Sequence, residues 1–325
     1  MSGPSEWQAG GDGGRVGGAR QPGPSPWPAA GGQVIDVVDP ADPRLAAYLG
    51  LREAALRRSR QPARFIAEGP LVVRRAVESG YTPESFLLTP RWVEELADVW
   101  GGTGAPVYQA ATDVVEAITG FHVHRGALAA LFRRERWTAA EVLDCDRLVV
   151  VEDLVDHANL GTIIRSAAAL GWGGLLVTHD SADPLYRRAV KASMGAVFRL
   201  PWARLEAGAD VVATLRGAGF TIMALALRDD GVDLATAQRR LGVGAASGGR
   251  EPVAPAGRWE PVVASEEAGR VLARARLAVL LGSEGPGLSS PLVEGADLVV
   301  TIPMARGIDS LNVAAVAAIV CCALR

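Results

Sequence analysis

A chain of 325 residues, 49% hydrophobic, has enough apolar side chain to fill cores in two ordinary domains. Its three cysteines, Cys145 alone and Cys321 beside Cys322, supply neither a disulfide framework nor zinc-ligand spacing, and they suit a reducing cytoplasm. A net charge of −3 excludes the strongly basic surface of a protein that holds nucleic acid by charge alone, so any such contact must be local.

In chain order, residues 1–32 are dominated by Gly, Pro, Ser and Ala, which cannot offset their own ordering entropy; a disordered tail without a basic-then-apolar leader is expected. Residues 33–136 read as a small α/β domain, with strands at 64–66, 85–88 and 106–108 and amphipathic helices at 70–79 and 90–97. Within it, Arg52, Arg57, Arg58, Arg60 and Arg64 stand against the single acid Glu53, either as a solvated helix face or as a local nucleic-acid contact. His122 and His124 make a pair without a third ligand, so no metal is expected; with Arg125 they suit a loop at a nucleic-acid surface or a purely structural loop. The charged run Arg133, Arg134, Glu135 and Arg136 leads into a linker expected at 137–146.

From 147 to 325, apolar strand-like runs alternate with helical ones: 148–152 then 160–170, 175–178 then 184–194, 209–216 then 221–227. A Gly/Ala/Pro-rich stretch at 241–257 reads as a flexible insertion, after which come 277–281, a short helix from Ser289, 298–302 and a last helix from Leu311. Continuously apolar strands separated by helices predict a parallel sheet covered on both faces, with ligands beyond the carboxyl ends of its strands. The longest apolar run, Val313 to Leu324, is too short to cross a bilayer. The last helix, apolar on every side, must be buried, and a dimer interface is one place for it.

Three strand ends are unusually polar or glycine-rich. The first runs through Glu152 and Asp153 to Asn159 and a helix on which Arg165 stands among Ile163, Ile164, Ala167, Ala168 and Leu170. A guanidinium cannot shed its charge, so Arg165 requires either an acid, Asp153 or Glu284, or an anionic ligand. The second, Leu281 into Gly282, Gly285 and Gly287, permits close backbone approach and positive φ, and places Glu284 in a tight turn. It is neither the dinucleotide fingerprint nor a P-loop. The third passes through Pro303 and Gly307 to Ser310 and Asn312, which suit helix capping. His157, near the first strand end, reads more simply as a loop histidine than as a base.

Together these segments resemble the three signature motifs of the SpoU (TrmH-like) RNA ribose 2′-O-methyltransferases of the SPOUT superfamily. Asn159-x-Gly161-x-x-x-Arg165 resembles the first motif. Gly282-x-Glu284-Gly285-x-Gly287 resembles the second, and Ile302-Pro303-Met304 through Ser310-Leu311-Asn312-Val313 the third. Segments 64–76 and 120–126 look like the small RNA-binding domain that many members carry in front. The resemblance departs at Ala314, where many relatives have serine, and at Arg306, which precedes the loop glycine.

The resemblance implies an α/β fold with a deep trefoil knot in the C-terminal parallel-sheet domain, a departure from ordinary chain connections. It implies S-adenosyl-L-methionine held by Leu281, Gly282, Gly287, Ile302, Met304 and Leu311, largely through backbone groups. It further implies transfer of a methyl group to a ribose 2′-hydroxyl of structured RNA, ribosomal RNA being favoured over transfer RNA. Arg165 would engage the target phosphate and assist the hydroxyl, oriented by Asn159, Glu284, Ser310 and Asn312. Because a guanidinium is cationic at neutral pH, an electrostatic role suits Arg165 better than proton acceptance. RNA contacts would fall to Arg52, Arg57, Arg58, Arg60, Arg64, His124 and Arg125, and the resemblance implies a homodimer through the C-terminal domain in which Arg165 can serve the partner's pocket. A catalytically silent RNA-binding relative is the alternative; the intact trio Asn159, Arg165 and Glu284 argues against it. A nicotinamide-dependent dehydrogenase lacks its glycine fingerprint here.

Overall fold

Residues 34–132 supply one sheet and residues 147–300 another. The structure, a computed structural model, describes residues 32–49, 64–121, 126–242, 276–306 and 310–325. The first sheet contains β1 (Val34–Asp36), β2 (Arg64–Glu68), β3 (Pro83–Leu88), β4 (Val107–Gln109) and β5 (Ala127–Phe132) in the order β1-β4-β3-β5-β2. Pairing is parallel among β1, β4 and β3, while β5 runs antiparallel to both β3 and β2. Helices α1 (Pro70–Glu78), α2 (Pro90–Glu95) and α3 (Ala97–Trp100) contribute to the layer that also receives Phe65, Phe86 and Ala129. On the other face Ile66, Leu87 and Leu128 meet α4 (Thr112–Thr119) and Tyr48.

The second sheet holds β6 (Arg147–Val151), β7 (Gly174–Val177), β8 (Trp202–Arg204), β9 (Phe220–Leu225), β10 (Arg276–Leu281) and β11 (Leu298–Val300). Its order is β11-β9-β10-β6-β7-β8, and every pair is parallel. Successive strand residues point to opposite faces. Val149, Val151, Val279 and Leu281 therefore join one core, with α6 (His157–Ala169), α7 (Arg187–Ala192) and α11 (Val313–Ala323). Leu148, Val150, Ala278 and Leu280 join another, with α5 (Ala139–Leu143), α8 (Val211–Gly217) and α10 (Ser290–Glu294). The apolar runs thus cover both faces, as a parallel sheet requires. Aspartates cap three helices of this half: Asp156 accepts from Asn159 N and Asp210 from Ala213 N, and Asp233 does the same from Thr236 N at the head of α9 (Leu234–Arg240).

Several expectations change. The third expected pair comes in reverse, helix α8 preceding strand β9, because Asp210 caps the apolar run that follows it. The expected linker 137–146 contains α5, whose capping box between Thr138 and Glu141 starts a helix that buries Val142 against the second sheet. Gly32, assigned to the tail, packs at Trp100 and Ala105. Within the single chain the last helix covers Val313, Ala314, Ala317, Val320 and Cys321 and leaves Ala315, Ile319 and Cys322 exposed, the face for which a dimer interface is the expected cover. The rest of the tail, residues 243–257 of the insertion and residues 307–309 of the loop expected to be knotted lie outside the described residues.

The two sheets share one continuous core, in which the rings of Phe65, Tyr81 and Phe198 stand 5.0 to 5.6 Å apart. Beside it, buried Glu68 of β2 accepts from Arg187 Nη1 at 2.5 Å and from Lys191 Nζ, both on α7. Arg133 pairs with Asp183 close by. Removing one member of a buried ion pair leaves the other charge desolvated and unpaired. Glu68→Ala is therefore expected to cost about 3 kcal/mol, seen as an earlier urea midpoint, whereas the exposed Arg91–Glu95 pair should cost under about 1 kcal/mol when cut.

Candidate active site

The chain leaves β6 toward β7 and β8 on one side, while β10 and then β9 and β11 lie on the other. Where strand order reverses in this way, the loops at the carboxyl ends part and leave a crevice. Asn159 enters it from the first turn of α6, the helix after β6, Glu284 from the loop after β10 and Asn312 from the segment after β11.

Their side chains meet. Asn159 Nδ2 donates to Glu284 Oε1 at 2.6 Å, and Asn312 Nδ2 donates to Asn159 Oδ1 at 3.0 Å and to Glu284 Oε1 at 3.1 Å. Asn312 Oδ1 at the same time accepts from Ala314 N at 2.9 Å and Ala315 N at 3.4 Å, so the expected cap and the site contact coexist in one amide. Asn159 sits in the first turn of α6 and Asn312 caps α11, so the two amides that hold the one carboxylate come from the N-terminal ends of two helices. The helices are held in place to do this. Gly161 lets α6 close on α7, for a Cβ there would stand 2.4 Å from Ala189 O. Trp172 Nε1 donates to Cys321 O at 3.0 Å, tying α11 to the turn after α6.

The glycine turn is built on its own backbone. A Cβ on Gly282 would lie 2.2 Å from Gly287 C and 2.3 Å from Leu288 N, while Gly285 (φ 98°) and Gly287 (φ 72°) adopt left-handed backbone with open space beside them. Gly282 thus serves the closure of its loop rather than only the approach of a ligand. Glu152 fastens the far end, accepting from Ser289 N at 2.7 Å and Ser289 Oγ at 2.6 Å. Leu281 is buried, Ile302 and Met304 are half-buried, and Leu311 is 40% exposed next to Asn312. Ser310 is exposed. Arg306 takes φ 59°, left-handed backbone at a non-glycine residue in the loop before α11.

Other residues fall elsewhere than expected. Arg165 is exposed, not buried among apolar neighbours: Ile163, Ile164 and Ala167 turn inward, and 162, 165 and 169 share the outer stripe. Neither suggested acid takes it, because Asp153 (φ 50°) accepts from Thr178 Oγ1 at 2.9 Å and Glu284 holds the two amides. Six residues of helix also put Arg165 about 9 Å along and about 120° around from Asn159. His157 stacks on Tyr186 with ring centroids 4.0 Å apart, a contact its sequence neighbourhood did not announce. Arg64 pairs with Glu84 at 3.1 Å. Arg52, Arg57, Arg58, Arg60, His124 and Arg125 lie outside the described residues, as does His122. Missed in the sequence were the bond of Ser289, read there only as a helix start, to Glu152 and the role of Thr178, although a hydroxyl just before Ser-Pro and another at a strand end are each a turn signal.

The geometry predicts a pH signature. Asn312→Ala should lose about 1 kcal/mol of capping at every pH. Asn312→Asp keeps the cap acceptor but sets a carboxylate against Glu284, which raises the pair's affinity for a proton in the folded state. Its stability should match the parent in acid and fall as pH rises through the carboxylate range, read by thermal melting at stepped pH.

The SpoU rRNA Methylase family model matches residues 146–322. A tRNA/rRNA methyltransferase of Mycobacterium bovis, itself uncharacterised, is 38% identical over 290 residues, 88% of this chain and 90% of that one. An AdoMet-bound rRNA methyltransferase from Sinorhizobium meliloti superposes with TM-score 0.66 at 25% identity, covering 89% of this chain and 97% of its own. An RNA 2′-O ribose methyltransferase shares the fold with TM-score 0.65 at 22% identity, over 89% of this chain and 98% of its own. The three strand-end motifs lie within the matched segment and converge in the crevice; the chain belongs to the SpoU rRNA methylase family of RNA methyltransferases.

Proposed function

We propose that this protein transfers a methyl group from S-adenosyl-L-methionine to a ribose 2′-hydroxyl of structured RNA, with ribosomal RNA favoured over transfer RNA. The observation that carries it is the meeting of Asn159, Glu284 and Asn312, one from each motif, on a single carboxylate oxygen. The AdoMet-bound Sinorhizobium relative supports the donor and the 2′-O ribose neighbour supports the acceptor.

The residues fit the donor. Leu311, Ile302 and Met304, in the segment that leads to Asn312, leave apolar surface partly uncovered, the setting in which an adenine ring is held. Leu281, Gly282 and Gly287 would add backbone donors and acceptors. The bound sulfonium supplies an already activated methyl group, so the protein's task is alignment and management of one proton. Glu284, fixed by its two amides, keeps an oxygen without a partner among the described residues, and with Asn159, Ser310 and Asn312 would orient the substrate. Arg165 would bind the target phosphate and stabilise the ribose oxygen as its proton passes to solvent.

The outward stance of Arg165 is why we propose a homodimer through α6 and α11. Ile319, 42% exposed, with Ala315 and Cys322 makes an uncovered stripe on α11, which packs against α6. A twofold contact there would cover apolar surface and carry Arg165 to the partner's crevice.

The test is transfer of labelled methyl to separate pools of ribosomal and transfer RNA from cells lacking the protein, with mapping of 2′-O-methyl positions. Label at one ribose site in ribosomal RNA is expected. No binding of S-adenosyl-L-methionine and no label in either pool would overturn the reading.

A further inference from the structure

The turn after α7 is strained, and the methyl-transfer site does not use it. Met194 (φ 53°) and Gly195 (φ 78°) are consecutive left-handed residues, a conformation that costs a non-glycine residue about 1–2 kcal/mol. Such strain persists where surroundings over-determine it, and it gathers at working surfaces. Here the determinant is Arg75 of α1. Its Nη1 donates to Met194 O at 2.6 Å, and its Cδ and Cβ lie 3.2 and 3.3 Å from where a Cβ on Gly195 would stand.

Arg199 follows the same turn, Arg136 Nη1 donates to Phe198 O at 2.6 Å, and Arg165 stands on the helix the turn packs against. The turn continues into Ala196–Phe198, which packs on α6, the helix of Arg165. The next residue, exposed Arg199, reaches back to Glu78 with Nη2 3.6 Å from Oε2, three positions along α1 from Arg75. Burial holds the Arg75 guanidinium below its ordinary range, and the charges of Arg199 and Arg165 press the same way while Glu78 opposes them. The Arg75 and Arg199 guanidinium groups thus lie to either side of one acid, Glu78, and Arg165 stands on the exposed stripe of the helix on which Ala196–Phe198 packs, in a chain whose net charge is −3. Like charges so placed are relieved by an anion, and the planar fork of arginine suits a phosphodiester.

We propose that Arg75, Arg199 and Arg165 form a phosphate seat at the seam of the two sheets, along which the RNA backbone passes between the first sheet and the methyl-transfer crevice. This rests on the function proposed above. With Arg165 serving the partner's crevice, the seat delivers the strand to that crevice. Arg199 and Arg75 are positioning residues, acting on the RNA rather than on the reacting oxygen.

The test uses the full-length protein, a fluorescein-labelled RNA hairpin and polyuridylate, titrated by anisotropy over a series of potassium chloride concentrations. Each of Arg199→Gln and Arg75→Gln should weaken binding about tenfold and reduce the slope of log affinity against log salt by about 0.7–0.9. KM for RNA should rise with kcat little changed, and affinity for S-adenosyl-L-methionine should match the parent. Because Arg75→Gln also loosens the turn, Arg199→Gln, on an exposed side chain, decides. Arg91→Gln, exposed on α2, is the control and should leave the slope unchanged. A parental slope in Arg199→Gln, or an equal loss in Arg91→Gln, would overturn the seat while leaving the enzyme intact. A parent protein that binds neither RNA overturns the function and the seat with it.

Discussion

Gly282→Ala is expected to abolish binding of S-adenosyl-L-methionine while leaving a folded protein. The new methyl would stand 2.2 Å from Gly287 C, 2.3 Å from Leu288 N and 2.4 Å from Gly287 O, all backbone atoms with no rotamer to yield. The turn from 283 to 288 must open, and two anchors go with it: Glu284 leaves the amides of Asn159 and Asn312, and Ser289 leaves Glu152. Overpacking of this kind costs about 1–3 kcal/mol, and moving a donor group by about 1 Å is enough to lose productive alignment about a hundredfold. Calorimetric titration should show no donor binding at concentrations that saturate the parent, with a lowered but cooperative melt. Gly285→Ala is the comparison. Gly285, unlike Gly282, carries left-handed backbone, but nothing lies within 4 Å of its added carbon, so the substitution should cost about 1 kcal/mol of strain and keep measurable affinity. Parental affinity in Gly282→Ala would show that the turn does not shape the donor pocket.

The reach of the sequence follows from what is local. The second sheet was legible because Leu148 to Val151 and Leu277 to Leu281 are apolar at every position, and only a strand covered on both faces asks for that. The three motif segments were legible because glycine, asparagine and acid at strand ends have few structural excuses. The outward turn of Arg165 was legible too, since Ile163, Ile164 and Ala167 set the inner face of α6, but the density of apolar neighbours in sequence disguised their phase. The exposed stripe on α11 was hidden for the opposite reason: where every residue is apolar, periodicity marks no face, and only packing against α6 separates Ala317 from Ile319. Long-range pairings were invisible. Glu68 with Arg187, and Arg75 with Met194, join residues 119 positions apart, so no spacing rule reaches them. For the same reason the charged run at 133–136 read as the start of a linker, although Arg133 and Arg136 fasten the two sheets together.

Arg165→Ala should bind S-adenosyl-L-methionine like the parent and lose methyl transfer about a hundred- to a thousandfold, the usual scale for removing one stabiliser of developing charge. Arg165→Lys keeps the charge but not the planar fork and should fall between. The sharper test asks whose crevice Arg165 serves. In the single chain it points outward and meets neither Asp153 nor Glu284, so a self-contained site would need the long side chain to fold back around α6. If Arg165 instead crosses a twofold interface, mixing Arg165→Ala with Gly282→Ala subunits restores activity that neither variant has. In each mixed dimer the crevice with an intact glycine turn receives arginine from the other subunit, while the second crevice lacks both. Random reassortment makes about half of all dimers mixed, so about a quarter of parental activity should return. A site that uses its own arginine yields none, because every intact turn then sits in a chain that lacks Arg165. Silence in the mixture, with subunit exchange verified by differently tagged chains, would confine the reaction to one chain and remove the partner from the mechanism.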